Sequence, residues 1–247
     1  MSEYVVIRSL SLTAPELNKA SETERAFLLA AGHLQNEVGI LNKLFAWSIP
    51  RDSSSSYDDV VQSSQAIMLG KMLAGKLAEG WTLFEAIFFG SQLSRQLTLP
   101  EKATEALSGL KTYFGRKNLV RLIRNDFAFH YSPEKIGAQW EAQAKEPGFE
   151  VLVGDTTGNT FHQAAEHAAN AAMLEAIVPG DRKRAIESFF SEVQAIGAQF
   201  STLVDGVIHA ILERHFGKLD QINTGERKLG PLQPFSKTFV PFFTDMP

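Results

Sequence analysis

The sequence contains no cysteine, which removes disulfides, thiolate zinc sites, iron–sulfur clusters and thiol nucleophiles together. It also lacks an excess of positive charge, with 24 lysines and arginines against 28 acidic residues and a formal net charge of −4. A protein that binds nucleic acid over its whole surface is usually basic, so any polyanion site must be local. Long apolar runs are missing too. The start, MSEYVVIRSLSL, has no basic region followed by an apolar stretch of signal length, and the richest apolar segment, Phe84 to Phe89, is interrupted by Glu85. No secretory leader or membrane span is expected, and the chain reads as cytoplasmic. Gly-x-Gly-x-x-Gly, the P-loop and the hydrolase Gly-x-Ser-x-Gly are all absent, so the common phosphate-cradling and acyl-transfer turns are excluded and no cofactor is expected.

What is present is helical. Apolar residues make up 44% of the 247 positions, enough for a buried core without staples. Thr13-Ala-Pro-Glu offers an N-cap hydroxyl, a proline in the first turn and a carboxylate three residues on. Steps of three and four from Leu17 then pass through Phe27, Leu34 and Val38 to Phe45, a bundle-type seam broken only by Glu24. Pro50 and the serines from Ser53 to Ser56 end this helix. A second begins near Tyr57 and buries Leu69, Leu73, Leu77, Trp81, Phe84 and Phe88, with Gly70, Gly75, Gly80 and Gly90 serving either close packing or a bend. Further helices are expected over Pro100–Phe114, Arg116–Tyr131 with a stop at Ser132-Pro133, Pro133–Ala144, Thr160–Val178 and Asp181–Phe216. After Pro147-Gly148 come an extended segment, Phe149 to Val153, and a surface loop, Gly154 to Asn159. Beyond Gly217, Pro231, Pro234, Pro241 and Pro247 forbid a regular helix. The phenylalanines Phe235, Phe239, Phe242 and Phe243 imply that this stretch packs on the body or on a second subunit. The expected architecture is an all-α antiparallel bundle of about seven helices over residues 1–216, followed by an irregular Pro- and Phe-rich tail over 217–247.

Metal sites fare poorly. A di-iron bundle needs inward Glu-x-x-His pairs, and there are none. His162, Glu166 and His167 miss the zinc spacing by one residue, and on a helix the two imidazoles project about 140° apart. His209, Glu213 and His215 fail likewise, so no metal ligand is assigned. The segment that stands out is basic. Between Glu105 and Asp126 there is no carboxylate, while Lys111, Arg116, Lys117, Arg121 and Arg124 supply positive charge. They are either the wet face of an amphipathic helix or a local attractor for a polyanion, with Lys111, Arg116, Lys117 and Arg121 as the candidate nucleic-acid contacts.

Arg124-Asn125, four further residues and His130 resemble the Arg-x(4–6)-His signature of the HEPN superfamily (higher eukaryotes and prokaryotes nucleotide-binding domains), including its frequent polar residue directly after the arginine. The resemblance covers Arg124 to His130 and the all-α setting. It implies a metal-independent ribonuclease of the toxin or RNA-processing kind, usually a homodimer whose cleft lies where two motifs meet. Many relatives lack activity and serve as partners or nucleotide binders. The residue types suit the chemistry. Histidine is the side chain whose ordinary pKa best fits moving the ribose 2′-OH proton near neutrality, which makes His130 the general acid or base. A guanidinium meets the charge building on the phosphoryl oxygens, which makes Arg124 the stabilising group, and Asn125 can orient either partner. On an ideal helix Arg124 and His130 lie about 120° apart, with His130 continuing the stripe Val120, Ile123, Phe127. The pair converges only if the helix ends early or if a twofold axis brings one chain's arginine to its mate's histidine, in which case that stripe is interface rather than core. Two alternatives stay open. In one, His130 is a buried histidine bonded to a backbone carbonyl or to Tyr131, with Arg124 paired to Asp126 or a distant carboxylate. In the other, the chain is non-catalytic and binds a nucleotide, a protein partner or an antitoxin.

Overall fold

In the computed structural model, which describes residues 5–49, 56–130, 132–143, 150–217, 225–230 and 234–244, local capping sets where the helices begin. Thr13 and Glu16 form a capping box that opens α1 (Ala14–Leu17). The single helix expected from Thr13 is interrupted, because Ser21 and Glu24 form a second box. The Ser21 hydroxyl accepts the Glu24 N–H at 3.3 Å, and the Glu24 carboxylate accepts the Ser21 N–H at 3.0 Å. α2 (Glu22–Ser48) starts there. Glu24, the one charge in the apolar seam, is 4% exposed and lies 3.2 Å from both Arg214 Nη1 and His215 Nε2. A buried carboxylate is tolerated only with such partners.

The remaining helices are α3 (Ser56–Leu83), α4 (Leu93–Gln96), α5 (Glu101–Phe114), α6 (Leu119–Ile123), α7 (Pro133–Gln143), α8 (Gln163–Ile177) and α9 (Arg182–Phe216). Two π-helical turns, Phe84–Phe89 and Arg124–Ala128, prolong α3 and α6. The fold is an all-α helical bundle. One two-stranded ribbon accompanies it: β1 (Val5–Ser9) pairs antiparallel with β2 (Gly225–Leu229), Val5 opposite Leu229 and Ser9 opposite Gly225. The stretch after Gly217 was expected to be irregular throughout; residues 225–229 are a strand instead, because the β-branched VVI of β1 offers a backbone edge that they complete. The Pro50 helix end, the serine run before residue 56, Tyr131, the Pro147–Phe149 stretch, Pro231 and Pro247 lie outside the described residues.

The chain divides into two compact units of interleaved segments. The first comprises Met1–Glu37, Glu79–Thr112 and Ala198–Thr238. Its core is aromatic: Phe27 meets Phe84 edge-on at 5.2 Å and stacks with Phe88 at 5.7 Å, and Phe84 meets Phe200 at 5.7 Å. The second comprises Val38–Ala78, Tyr113–Gly197 and Phe239–Pro247. There Phe45 stacks on Phe190 at 5.3 Å and meets Phe189 at 6.5 Å. The glycines of α3 serve close packing in both. A Cβ on Gly70 would lie 2.6 Å from the Phe189 ring, and one on Gly80 would lie 2.5 Å from that of Phe200. Gly90 follows the first π turn.

Residues 240–244 dock on the second unit. The Val240 N–H donates to the Trp47 carbonyl at 3.4 Å, and Gln65 Nε2 donates to the Val240 carbonyl at 3.1 Å. Asn159 exchanges two hydrogen bonds with the Thr244 backbone, and Phe242 meets Phe161 at 5.3 Å. The expected extended segment contributes one antiparallel bridge, Leu152 with Phe161. By length and composition α9 is apolar enough to cross a membrane, yet half of its apolar window is buried inside the chain. Phe189 and Val193 sit in the second core, and Phe200, Leu203 and Val207 in the first, as in a core helix.

Candidate nucleic-acid interface

The polar residues after α5 shape the site. Asn118 caps α6: its Oδ1 accepts the Arg121 N–H at 2.8 Å, and its Nδ2 donates to the Arg116 carbonyl at 2.9 Å. The helix expected from Arg116 therefore starts at Leu119, which leaves Arg116 and Lys117 on a loop rather than on a helix face. Arg121 is tethered, with Nη1 donating to the Phe114 carbonyl at 2.9 Å and its guanidinium 5.6 Å from the Phe114 ring. Tyr113 ties this turn to α9. Its hydroxyl accepts the Val120 N–H at 3.1 Å and donates to Glu192. Burial, seconded by that carboxylate, pushes the phenol far above its ordinary range, so it stays a donor.

The result is an open cavity of about 990 Å³ in the second unit, lined by Arg116, Lys117, Asn118, Arg121 and Asn125 beside Tyr113. Three cations and two side-chain amides thus border one concavity, with the Glu192 carboxylate as its one acidic side chain, in a chain that is acidic overall. Lys111 does not join them. It belongs to the first unit, and its ammonium sits 4.7 Å from the centre of the Phe89 ring.

The motif follows a different course from the ideal helix. α6 gives way at Arg124 to the π turn, and Phe129, at φ −130 and ψ 5, leaves helical geometry altogether. The helix expected to reach Tyr131 therefore ends at Ala128. Phe129 lays its ring on Gly75 of α3, where a Cβ would lie within 2.8 Å of ring Cζ. Val120 and Ile123 are fully buried while His130 is exposed, so His130 does not continue the stripe. This corrects the expectation that His130 continues the stripe and removes the alternative of an interior histidine, while Val120 and Ile123 are core within this chain. Early departure from the helix after a widened turn is the common cause.

Arg124 is half-buried and its Nη1 donates to Asn125 Oδ1 at 3.1 Å. His130 lines a second cavity of about 360 Å³, also in the second unit, with Lys71, Asp126, Lys135 and Glu166 among its polar groups. Lys135 and Asp126 pair there at 2.9 Å. The structure thus brings Arg116, Lys117, Arg121 and Asn125 to one cavity and His130 to the other, while Arg124 lines neither. Lys71 and Glu166, which no sequence motif pairs, both line the His130 cavity. Burial holds the Lys71 ammonium below its ordinary pKa against the opposing pull of Glu166, and Nζ reaches Asn170 Oδ1 at 3.5 Å. The one local signal was a lysine flanked by Met68 and Met72 in an otherwise apolar stretch of α3. Among the described residues no three histidine or carboxylate side chains gather in a metal-binding arrangement. Compared with known protein families, curated proteins and solved structures, the chain matches none.

Proposed function

We propose that the chain is a metal-independent endoribonuclease of the HEPN kind, acting in the cytoplasm as a homodimer, with RNA held along the basic cavity. The observation that carries this is the convergence of Arg116, Lys117 and Arg121 with Asn118 and Asn125 on one open cavity. Guanidinium and ammonium groups beside amide donors suit phosphodiester oxygens, which such groups position irrespective of base. His130, exposed where the π turn ends, is accessible to a ribose. In the reaction the 2′ oxygen bonds to phosphorus and the bond from phosphorus to the 5′ oxygen breaks. The proton passes from the 2′-OH to the imidazole and from there to the departing 5′ oxygen. Arg124 offsets charge on the phosphoryl oxygens. Because Arg124 and His130 do not share a cavity within one chain, the reading requires a second protomer to bring arginine and histidine together across a twofold axis that lies outside the buried Val120–Ile123 stripe, making two equivalent sites.

The test is incubation with single-stranded RNA in chelator. Cleavage should leave 2′,3′-cyclic phosphate ends and vanish in His130→Ala and Arg124→Ala. Triple neutralisation of Arg116, Lys117 and Arg121 to Gln should weaken RNA binding and flatten its salt dependence. Intact RNA after exposure to the dimeric wild type refutes the catalytic reading. A second reading, a non-catalytic protein that binds a protein partner or antitoxin, draws on Phe235 and Phe239, exposed at 57% and 46% on the tail. Truncating both rings should then abolish complex formation and leave RNA binding alone.

A further inference from the structure

We infer that Arg184 is a further phosphate contact, which extends the RNA track from the basic cavity onto α9; the assignment to RNA rests on the nuclease reading of that cavity. At about 990 Å³ the cavity stands at the upper end of small-ligand sites and is open, which suits a continuing strand. Its walls are not all basic. The end of α8 supplies Ile177 and Val178, and α9 supplies Ser188 and Glu192. A strand lying against Arg116, Lys117 and Arg121 thus has α9 as a neighbour.

α9 opens with three consecutive cations, Arg182, Lys183 and Arg184, and its first turn holds no acidic residue. Positive charge at this end opposes the helix dipole, so the run does nothing for the helix that carries it. The three residues occupy different faces. Arg184 lies four residues before Ser188, about 40° around the helix and about 6 Å along it, on the side that borders the cavity. Lys183 is turned about 140° from Ser188 and Arg182 about 120°. Arg182 lines a separate cavity of about 320 Å³ together with Asp59. Helical side chains lean toward the N-terminus, which carries the Arg184 stem toward the turn after Val178, itself a wall of the basic cavity.

Arg184 is exposed, and its guanidinium has no salt bridge or hydrogen bond among the described residues. The surrounding carboxylates are largely engaged. Glu175 accepts the Gly180 N–H at 3.1 Å, Asp181 accepts the Arg184 N–H at 3.0 Å, and Glu192 accepts the Tyr113 hydroxyl. Because Asp181 holds that N–H, the charge offered here comes from the side chain and not from the helix end. Glu187 is also exposed, but it lies about 60° beyond Arg184, away from the cavity side. An unengaged guanidinium beside a basic concavity is a bidentate donor placed for the next phosphate.

The test measures binding of a labelled single-stranded RNA of about ten nucleotides to the full chain in chelator. It is run between about 50 and 200 mM salt, with His130→Ala as the parent so that the RNA stays whole. Each phosphate contact on a single strand contributes about 0.7 to the slope of log K against log salt. Arg184→Gln should therefore reduce the slope by about 0.7 and weaken binding about five- to tenfold at the low-salt end. Lys183→Gln and Arg182→Gln remove the same charge from adjacent exposed positions and should leave slope and affinity at the parent's values. Circular dichroism verifies that helix content is equal in all three. Equal losses in the three variants would reveal a general charge effect and overturn the assignment, as would a parental slope in Arg184→Gln. A parental slope there, with a flattened one in the triple variant of Arg116, Lys117 and Arg121, sinks Arg184 alone and keeps the RNA reading. RNA bound through Arg184 yet left uncut by the unmodified chain does the reverse. No RNA binding at about 50 mM salt refutes both.

Discussion

Two glycines on α3, five residues apart, separate a core contact from a site contact and yield opposite outcomes on the same substitution. Alanine in place of glycine inside a helix gains about 1 kcal/mol from the unfolded chain's lost freedom and better propensity. Whether that gain survives depends on what the new methyl meets. At Gly70 it lies 2.6 and 2.9 Å from two atoms of the Phe189 ring and 3.0 Å from one of Phe45. Both rings are buried, at 0% and 1% exposure, so neither can yield without moving the core. Overpacking of this kind costs about 1–3 kcal/mol, here at the upper end because two rings are struck, and Gly70→Ala should lose about 2 kcal/mol net of the propensity gain. At Gly75 the methyl strikes the ring of Phe129, which is 52% exposed and free to swing outward. Gly75→Ala should therefore stay within about 0.5 kcal/mol of the parent while displacing the residue before His130, so that RNA cleavage falls and stability holds. Urea unfolding followed by circular dichroism gives the comparison, with a midpoint drop of about 1 M for Gly70→Ala at a typical slope. Refutation is a Gly70→Ala variant as stable as the parent, or a Gly75→Ala variant that loses more stability than Gly70→Ala.

Three further outcomes are expected. Burial works to raise the Glu24 pKa, but hydrogen bonds from Ser21 and the neighbouring His215 win and hold it below the ordinary glutamate value. A depressed folded pKa means stability present above the unfolded value and lost as pH falls through the folded one, so the acid limb of a stability–pH curve should flatten in Glu24→Gln. Tyr113→Phe strands the Val120 N–H and one oxygen of Glu192 and should cost about 1–3 kcal/mol in chemical denaturation. Mixing inactive Arg124→Ala with inactive His130→Ala at equal concentration should restore about a quarter of wild-type cleavage, since half the dimers become heterodimers with one intact site each. No recovery after subunit exchange would show that arginine and histidine do not meet between protomers.

Where local signals fix an element, the sequence was sufficient. Pro100 ahead of an amphipathic stretch anticipates α5, and Asp181 anticipates α9, whose first turn it caps by accepting the Arg184 N–H at 3.0 Å. Glu24 breaks the apolar seam, yet Ser21 three residues earlier gives it a local role as partner in the second capping box. The β1–β2 ribbon is different in kind. Its strands join residues 216 positions apart, as in the Ser9 hydroxyl to the Gly225 carbonyl at 3.1 Å, and GERKL carries no β-branched residue to announce itself. Nothing short-range distinguishes that strand from loop.

The site shows the same division between composition and placement. A carboxylate-free basic run is visible on inspection, but which of its members converge depends on Asn118, whose cap delays the helix and gathers Arg116 and Lys117 beside Arg121 while Lys111 stays with Phe89. The helical projection of the motif breaks down for a related reason. Projecting Arg124 and His130 around one axis assumes about 100° per residue throughout, and the π turn at Arg124–Ala128 violates that assumption at the motif itself. A widened turn needs a neighbour that holds the chain in it, and here Phe129 seated on Gly75 supplies one from α3, some fifty positions earlier in sequence. The exposure of His130 is thus coupled to a glycine remote from the motif, and its cavity draws Lys71 from that same helix α3 and Glu166 from α8. A short motif fixes which groups are available for chemistry; the packing around it fixes which cavity each one faces.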